Sequence, residues 1–432
     1  MTSISLRSLR KIFAVFAVKP FAFFAVNFIT FNPDHLLRIF MKSAGFIFSC
    51  VFTLLTALQL TGQSGKVPGI IVDYIPATTN IYIGSPSICI LPNGDYIASH
   101  DHFGPGSTEH QRALSAVFRS ADKGRSWQKI SEINGQFWSN LFVHNGLLYI
   151  MGTWKHHGNL IIRRSSDGGF TWTEPDDSRT GLLREGEYHA APMPMVIHNG
   201  HIWRAVENAK SYTTAWGIRY GATMFSAPVG SDLLDATSWK NSNSLAYDSA
   251  YLAGRFRGWL EGNAVVTPEG KIVNMLRVAT TESGRDLAAI VDISDDGLKA
   301  SFNPENGFID FAGGARKFSV RYDNKSGRYW TICNMISEGF EDLNAGSVRN
   351  TLVIKSSPDL RQWTVHSILL QHPDVKKHGF QYVDWQFDGK DIIYLSRTAY
   401  DDESGGANNY HDANYLTFHR IKNYRKLVKK SI

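Results

Sequence analysis

Only three of 432 residues are cysteine, too few for a disulfide framework and too scattered for a thiolate metal site. Cys50 falls in an apolar N-terminal stretch, while Cys89 and Cys333 lie in two distant strand-like runs. They read as two buried thiols, a single Cys89–Cys333 bridge being the alternative in an oxidising compartment. A second scarcity is of segments with helical period, which are nearly missing from Val67 onward and leave little room for helices. A third is basic charge on the body. The net charge is +6, yet of 45 Lys and Arg seven lie in 1–66 and six in 420–432, leaving 32 bases against 38 acids in 67–419. A nucleic-acid binder carries its basic excess on the folded surface, so that partner class is excluded. Disorder is excluded too, because 43% of the residues are hydrophobic, with 26 Phe, 17 Tyr and 11 Trp.

The basic N-terminus has another use. Two apolar stretches, at about 12–31 and 44–60, precede the body, and the first is interrupted by Lys19, Pro20 and Asn27. The second follows Met41-Lys42 and exits through Thr61-Gly-Gln-Ser-Gly65, the charged start, apolar middle and small polar end of a signal peptide. The reading is an export region at 1–64 with its signal at 41–64, a two-span anchor being the alternative, and one domain at 65–432. Either reading places the body outside the cytoplasm, as a secreted, periplasmic or cell-surface protein.

That body is an array of hairpins. Leu91-Pro-Asn-Gly-Asp, His144-Asn-Gly, His198-Asn-Gly, Thr267-Pro-Glu-Gly, Asp323-Asn-Lys-Ser-Gly and Phe387-Asp-Gly-Lys each join two strand-like runs. A second hairpin follows each, twice spelled as an Asp box: Ser120-Ala-Asp122-Lys-Gly124-Arg-Ser126-Trp127 and Ser165-Ser-Asp167-Gly-Gly169-Phe-Thr171-Trp172. Looser copies stand at 226–239, 294–302 and 356–363. Two consecutive hairpins make four antiparallel strands, the unit of a β-propeller blade. Six units are readable, at about 85–131, 139–175, 191–243, 258–303, 311–366 and 379–424. The segments 69–82 and 245–256 are left over, to supply a seventh blade or, for the former, to close the ring against 413–420. The fold class is all-β, a propeller of four-stranded blades.

In such a ring the residues that begin the first strand and end the second gather on one face around the axis. They are His100-Asp101-His102, Trp154-Lys-His156-His157, Tyr188-His189 with Arg204 and Asn208, Glu261 with Asn263 and Arg277, Arg316 with Asn334, and Tyr382 with Asp384 and Arg397. Trp154, Trp203, Trp259 and Trp385 read as blade packing. So many ionisable groups exceed what folding needs, and the arginines favour an anionic ligand. An exported protein with such a face suits an anionic polysaccharide or oligosaccharide, acting as a monomer.

Asp boxes on an exported propeller resemble the sialidases, although their opening Arg-Ile-Pro motif is missing near Ile81–Pro86 and no Tyr/Glu nucleophile pair follows from a motif. Arg204, Arg277 and Arg397 are the nearest equivalents of the sialidase arginine triad. The chain also resembles bacterial propellers that include ulvan lyases, rhamnose–glucuronate lyases and a related α-L-rhamnosidase family. That resemblance rests on Ser85-Pro-Ser with Leu91-Pro-Asn-Gly-Asp-Tyr-Ile-Ala-Ser-His100-Asp, on Tyr188 with Arg204 and Asn208, and on His411-Asp-Ala-Asn-Tyr-Leu-Thr-Phe-His-Arg420. It implies seven blades and β-elimination at a uronic acid. Arg204 and Asn208 would then neutralise the carboxylate, Tyr188 would serve as acid or base, and His156, His157 or His189 as base. In the rhamnosidases a first-blade histidine works on the opposite face, which points to His100 or His102. Asn208, His100, Arg277, Asn263 and Arg397 are the expected substrate contacts. Hydrolysis is the alternative reaction, Glu261 and Asp384 being candidates for a carboxylate pair. No cofactor is expected, with a structural zinc among the histidines left open.

Overall fold

Apolar residues alternating with polar ones, interrupted by turns, fold the chain into successive antiparallel hairpins. Residues 66–281 and 285–430 are described in the computed structural model, and the export region expected at 1–64 lies outside them. Six sheets follow one another along the chain. Blade 1 runs from Tyr82–Ile83 and Ser87–Ile90 through Tyr96–Phe103 and Leu114–Ser120 to Gln128–Asn134. Blade 2 is Phe137–His144, Leu147–Thr153, Leu160–Ser165 and Leu182–Arg184, and blade 3 centres on His201–Asn208 and Gly221–Pro228. Blade 4 is built on Phe256–Val266, Ile272–Thr280 and Leu287–Ile293, and blade 5 on Ser319–Asp323, Arg328–Asn334, Thr351–Ser357 and Thr364–Gln371. Blade 6 takes Gly379–Asp388, Asp391–Ala399 and Tyr415–Ile421 from the C-terminal end and its fourth strand, Ile70–Tyr74, from the N-terminal end.

The ring therefore has six blades, and the seventh implied by resemblance does not form. The first spare segment closes blade 6 with Ile70 opposite Phe418. The second is a connection with one isolated bridge, Ala222 to Leu245, and a single 3-10 turn at Tyr251–Gly254.

Two of the inner turns, Asn145-Gly146 and Asn199-Gly200, hold both residues at positive φ, the geometry whose twist matches paired strands. The Asp boxes work through their side chains. Asp122 accepts from the Ser120 and Ser126 hydroxyls and from two backbone N–H groups, and Asp167 repeats the pattern in blade 2. Trp127, which ends the first box, packs 5.4 Å from the Phe418 ring of blade 6. The core is divided among the seams: one cluster joins blades 6 and 1 through Ile88, Tyr96, Ala98, Leu395 and Phe418, another joins blades 3 and 4 through Trp203, Met224 and Trp259. Trp203, Trp259 and Trp385 are buried in packing as expected, whereas Trp154 stands 39% exposed. Cys89 and Cys333 are free and buried.

Candidate active site

Three of the six inner strands lose register close to their start, between Phe137 and Asn140, between Leu260 and Asn263, and between Gln381 and Asp384. Each break carries a non-glycine residue in the left-handed region: Trp138 at φ 46°, Glu261 at 56° and Tyr382 at 53°. A bulge adds an unpaired residue and re-aims its side chain, and the left-handed backbone costs about 1–3 kcal/mol at each site. Two positions further on, each strand holds a buried amide or acid. Asn263 donates to the carbonyls of Met275 (3.2 Å) and Phe318 (3.1 Å) and accepts from Val320 N–H at 2.9 Å, binding blade 4 to blade 5. Asp384 accepts from the Ser87 hydroxyl and Ile88 N–H, both at 2.9 Å, binding blade 6 to blade 1. These two residues hold the ring together. The bulge residues preceding them are left for the mouth of the channel.

At that mouth Glu261 accepts from Arg277 Nη1 at 3.0 Å, and the Tyr382 phenol lies beside the same guanidinium. Arg349 lies 5.4 Å and Arg397 4.8 Å from the Tyr382 ring centre, and Arg397 stacks 4.2 Å from the Phe103 ring centre. Arg349 is oriented by Gln381 Oε1 and by the Gly346 carbonyl at 3.1 Å, Arg397 by the His411 carbonyl at 2.6 Å. Burial pushes the Glu261 carboxyl up, but Arg277 together with His189 and Arg349 holds it below the usual carboxylate range. Burial lowers Arg397 to about 10, which leaves it cationic at neutral pH. His411 falls to about 3, through burial and then Arg397, so it is neutral. Asp101, buried and next to Arg397 in charge, is raised by burial to about 7. Three guanidiniums thus face one ionised carboxylate, with Asp412 behind His411 at 2.9 Å, and the Nε atoms of Arg277 and Arg397 are buried without a partner. Buried positive charge with unspent donors is matched by an anion.

Beside this cradle stands a wall of imidazoles and aromatic rings. His189 Nδ1 donates to Glu207 Oε2 at 2.7 Å, and the other Glu207 oxygen takes the Gly262 N–H at 3.0 Å, next to the Glu261 bulge. His157 meets the Tyr220 hydroxyl at 2.9 Å and Arg219 at 3.1 Å, Arg219 being paired with Glu187 at 2.6 Å. Trp138 lies 4.3 Å from His189 and 4.6 Å from His156 between ring centres. Burial lowers both His156 and His157, the latter to about 2 with His156 adding to the effect. Both rings are neutral at pH 7, and His156, whose Nδ1 has no hydrogen-bond partner, is the one left to meet a sugar hydroxyl. Trp216, half exposed, adds an aromatic face to the wall.

The expected site residues divide accordingly. Arg277, Arg397, His156, His157 and His189 converge on this mouth. Arg204 is fully buried and directs Nη1 and Nη2 at the Ala205 and Ala191 carbonyls at 2.8 and 2.5 Å, and the third arginine beside Arg277 and Arg397 is Arg349. Tyr188 is half-buried against Phe225, and its cross-strand neighbour Asn208 accepts from Lys210 N–H at 3.0 Å. Asn263 and Asp384 are the ring clamps described above, so no Glu261–Asp384 carboxylate pair forms at the mouth. Arg316 donates to Asp286 at 2.6 Å and, with Asn334, fastens loops. His100 and His102 face the closing strand instead of the channel. Sequence reasoning missed Arg349, Trp138 and Glu207. The recurring spelling Trp138-Ser-Asn, Glu261-Gly-Asn and Tyr382-Val-Asp was the available signal for the bulges.

The opposite mouth, at the inner turns, has a cavity of about 620 Å³ lined by Met195, Ile197, Val265, Tyr322, Tyr329 and Phe387 among others, with Arg321 its only charged residue. Arg321 is itself paired with Asp384 at 3.3 Å. One arginine already paired with a carboxylate is little to carry hydrolytic or eliminative chemistry, so the mouth where several ionisable groups converge is the candidate active site.

No protein-family model and no curated protein matches the chain. Among solved structures it is similar to an α-L-arabinanase of Penicillium chrysogenum complexed with arabinobiose, at 14% identity and TM-score 0.52 over 84% of this chain and 99% of that one. A Hadza microbial sialidase aligns at 15% identity and TM-score 0.54, over 83% and 69% of the two chains. An α-L-arabinofuranosidase of Fusarium graminearum aligns at 12% identity and TM-score 0.52, over 83% and 97%. At such identities the likeness establishes the fold, and the chain is a six-bladed β-propeller.

Proposed function

We propose that the chain is a glycoside hydrolase that removes a terminal sugar bearing a carboxylate, using Tyr382 as nucleophile and Glu261 as its base. The observation that carries this reading is the Tyr382–Glu261 pair on one guanidinium, Arg277, with Arg349 and Arg397 beside it. A phenol is neutral until it attacks, so it approaches an anionic sugar without the repulsion a second carboxylate would meet. Tyrosine nucleophiles occur among glycosidases as exceptions to the carboxylate pair. In the first step the Tyr382 oxygen bonds to the anomeric carbon and its proton passes to Glu261. The bond to the leaving oxygen breaks as Asp101 gives that oxygen a proton. In the second step water attacks the anomeric carbon and gives a proton to Asp101, the bond from that carbon to the Tyr382 oxygen breaks, and the leaving phenolate takes back the proton held by Glu261. Asp101 suits the acid role because its carboxyl, raised to about 7, is still half protonated at neutral pH, while His156 and His157 are already neutral bases.

The arginines hold the substrate carboxylate, and the histidine and tryptophan wall lies against the sugar hydroxyls or the leaving group. Similarity to arabinan-cleaving enzymes and a sialidase supports hydrolysis on this scaffold. The full burial of Arg204, with both Nη atoms on backbone carbonyls, weighs against the β-elimination arrangement of Tyr188, Arg204 and Asn208. The protein is read as an exported monomer acting on an extracellular anionic glycan. Fluorogenic glycosides of sialic acid, glucuronic acid, α-L-rhamnose and α-L-arabinofuranose, together with ulvan, test the reading. Release from an acidic glycoside, lost in Tyr382→Phe, is the expected result. Rising ultraviolet absorbance of unsaturated uronate from ulvan would instead establish a lyase of rhamnose- and uronate-containing polysaccharide and overturn it.

A further inference from the structure

Two histidines and a carboxylate meet where the ring closes, away from the channel. The closing strand, Ile70–Tyr74, shifts register between Ile71 and Asp73, a break of the kind that re-aims a side chain. Asp73 reaches the second strand of blade 1, where His100 and His102, two residues apart, share one face. Asp73 Oδ2 is 2.8 Å from His100 Nε2, the two imidazole centres are 5.2 Å apart, and one ligand atom from each of the three residues lies within 4.8 Å of the others. The other nitrogen of His100, Nδ1, is 3.1 Å from the Asp101 carbonyl oxygen. A carbonyl only accepts, so Nδ1 carries the proton, and a neutral His100 then presents a lone pair at Nε2 to a carboxylate oxygen. Two acceptors at hydrogen-bond distance require a cation between them or a second proton on the ring. An imidazole whose far N–H is fixed by a backbone carbonyl is the usual arrangement of a metal ligand.

The remaining groups fit an ion. Neither ring nitrogen of His102 makes a hydrogen bond among the described residues, and the ring is partly exposed. Lys129 and Glu132, the charged neighbours on the outer strand of blade 1, are paired with each other. We propose that Asp73, His100 and His102 bind one divalent transition-metal ion, zinc by ligand type, which fastens the closing strand to blade 1. Two imidazoles and a carboxylate with water in the fourth position complete a tetrahedral zinc site. The ion ties the N-terminal strand, held otherwise by its pairing within blade 6, to the neighbouring blade.

The purified protein, stripped with a chelator, is equilibrated with zinc chloride, gel-filtered, and measured for retained metal and for melting temperature with and without zinc. One zinc per chain and a zinc-dependent rise in melting temperature are expected. His102→Gln and Asp73→Asn should each weaken zinc binding by at least about tenfold in chelator competition and remove that rise. The metal-free His102→Gln protein should melt like metal-free wild type, showing that it folds. Glu109→Gln addresses a second cluster, Glu109, His110 and His156, at the candidate active site, and should retain zinc like wild type. Zinc absent from wild type, zinc retained undiminished in both His102→Gln and Asp73→Asn, or zinc lost only in Glu109→Gln, would each overturn the proposal. The first of these would leave His100 as an imidazolium paired with Asp73.

Discussion

The two mouths of the channel are made from opposite ends of the same strands, and they differ in kind. The inner turns close one mouth with Pro, Val, Ile and Tyr around about 620 Å³ of space and a single, already paired arginine. The strand starts line the other with three arginines, a glutamate, a tyrosine and three histidines, brought inward by bulges that cost backbone energy. Volume and chemistry have separated. Turns must be short and standard to form hairpins, whereas strand starts joined by long connections can accept irregular backbone, and only irregular backbone turns Glu261 and Tyr382 toward the axis.

Four measurements would break or sharpen that contrast. The largest effect is expected from Tyr382→Phe, which removes the nucleophile and should lower kcat on the order of 10⁴-fold with little change in melting temperature. Normal turnover in this variant would move the chemistry elsewhere. Next, Asp101→Asn should lower kcat/KM about 10²-fold. In wild type the acid is protonated below about 7, so activity should be present at lower pH and fall as pH rises through that value. A pH profile whose alkaline limb survives in Asp101→Asn would assign the proton to another group. Arg349→Lys exchanges a forked donor for a point charge and should raise KM for an acidic glycoside about tenfold while sparing a neutral one. Equal loss on both substrates would mean that Arg349 serves the fold instead of the carboxylate. The smallest effect is expected from Tyr322→Phe at the apolar mouth, where kinetics should match wild type. A marked loss there would erase the distinction between the two mouths.

Much of the fold was legible because hairpin turns and Asp boxes are local: six turns and two boxes give six blades at nearly the observed positions. The closure of the 69–82 segment against 413–420 was one of the two uses the sequence left open for it, and the structure takes that one. The seventh blade, implied by resemblance and left open by the spare segments 69–82 and 245–256, had no hairpin turn of its own in the sequence. Within the site, Glu261, Arg277, Tyr382 and Arg397 were placeable at the axis because they lie beside inner hairpins. Arg349 was not, since it belongs to the connection after Ala345–Ser347 that leads to the third strand of blade 5. Arg204 obeyed the positional rule and still points its donors at carbonyls, a matter of burial that spacing does not encode.

The sequence by itself determined the class of fold, the number of repeats and which end of each strand would carry charge, because alternation and turn chemistry act over a few residues. Tertiary structure alone decided which charges meet. Register shifts of one residue turned Glu261 and Tyr382 onto a shared arginine, and ring closure set Asp73 against His100. Both depend on distances between blades far apart in the chain, and only the closed ring fixes them.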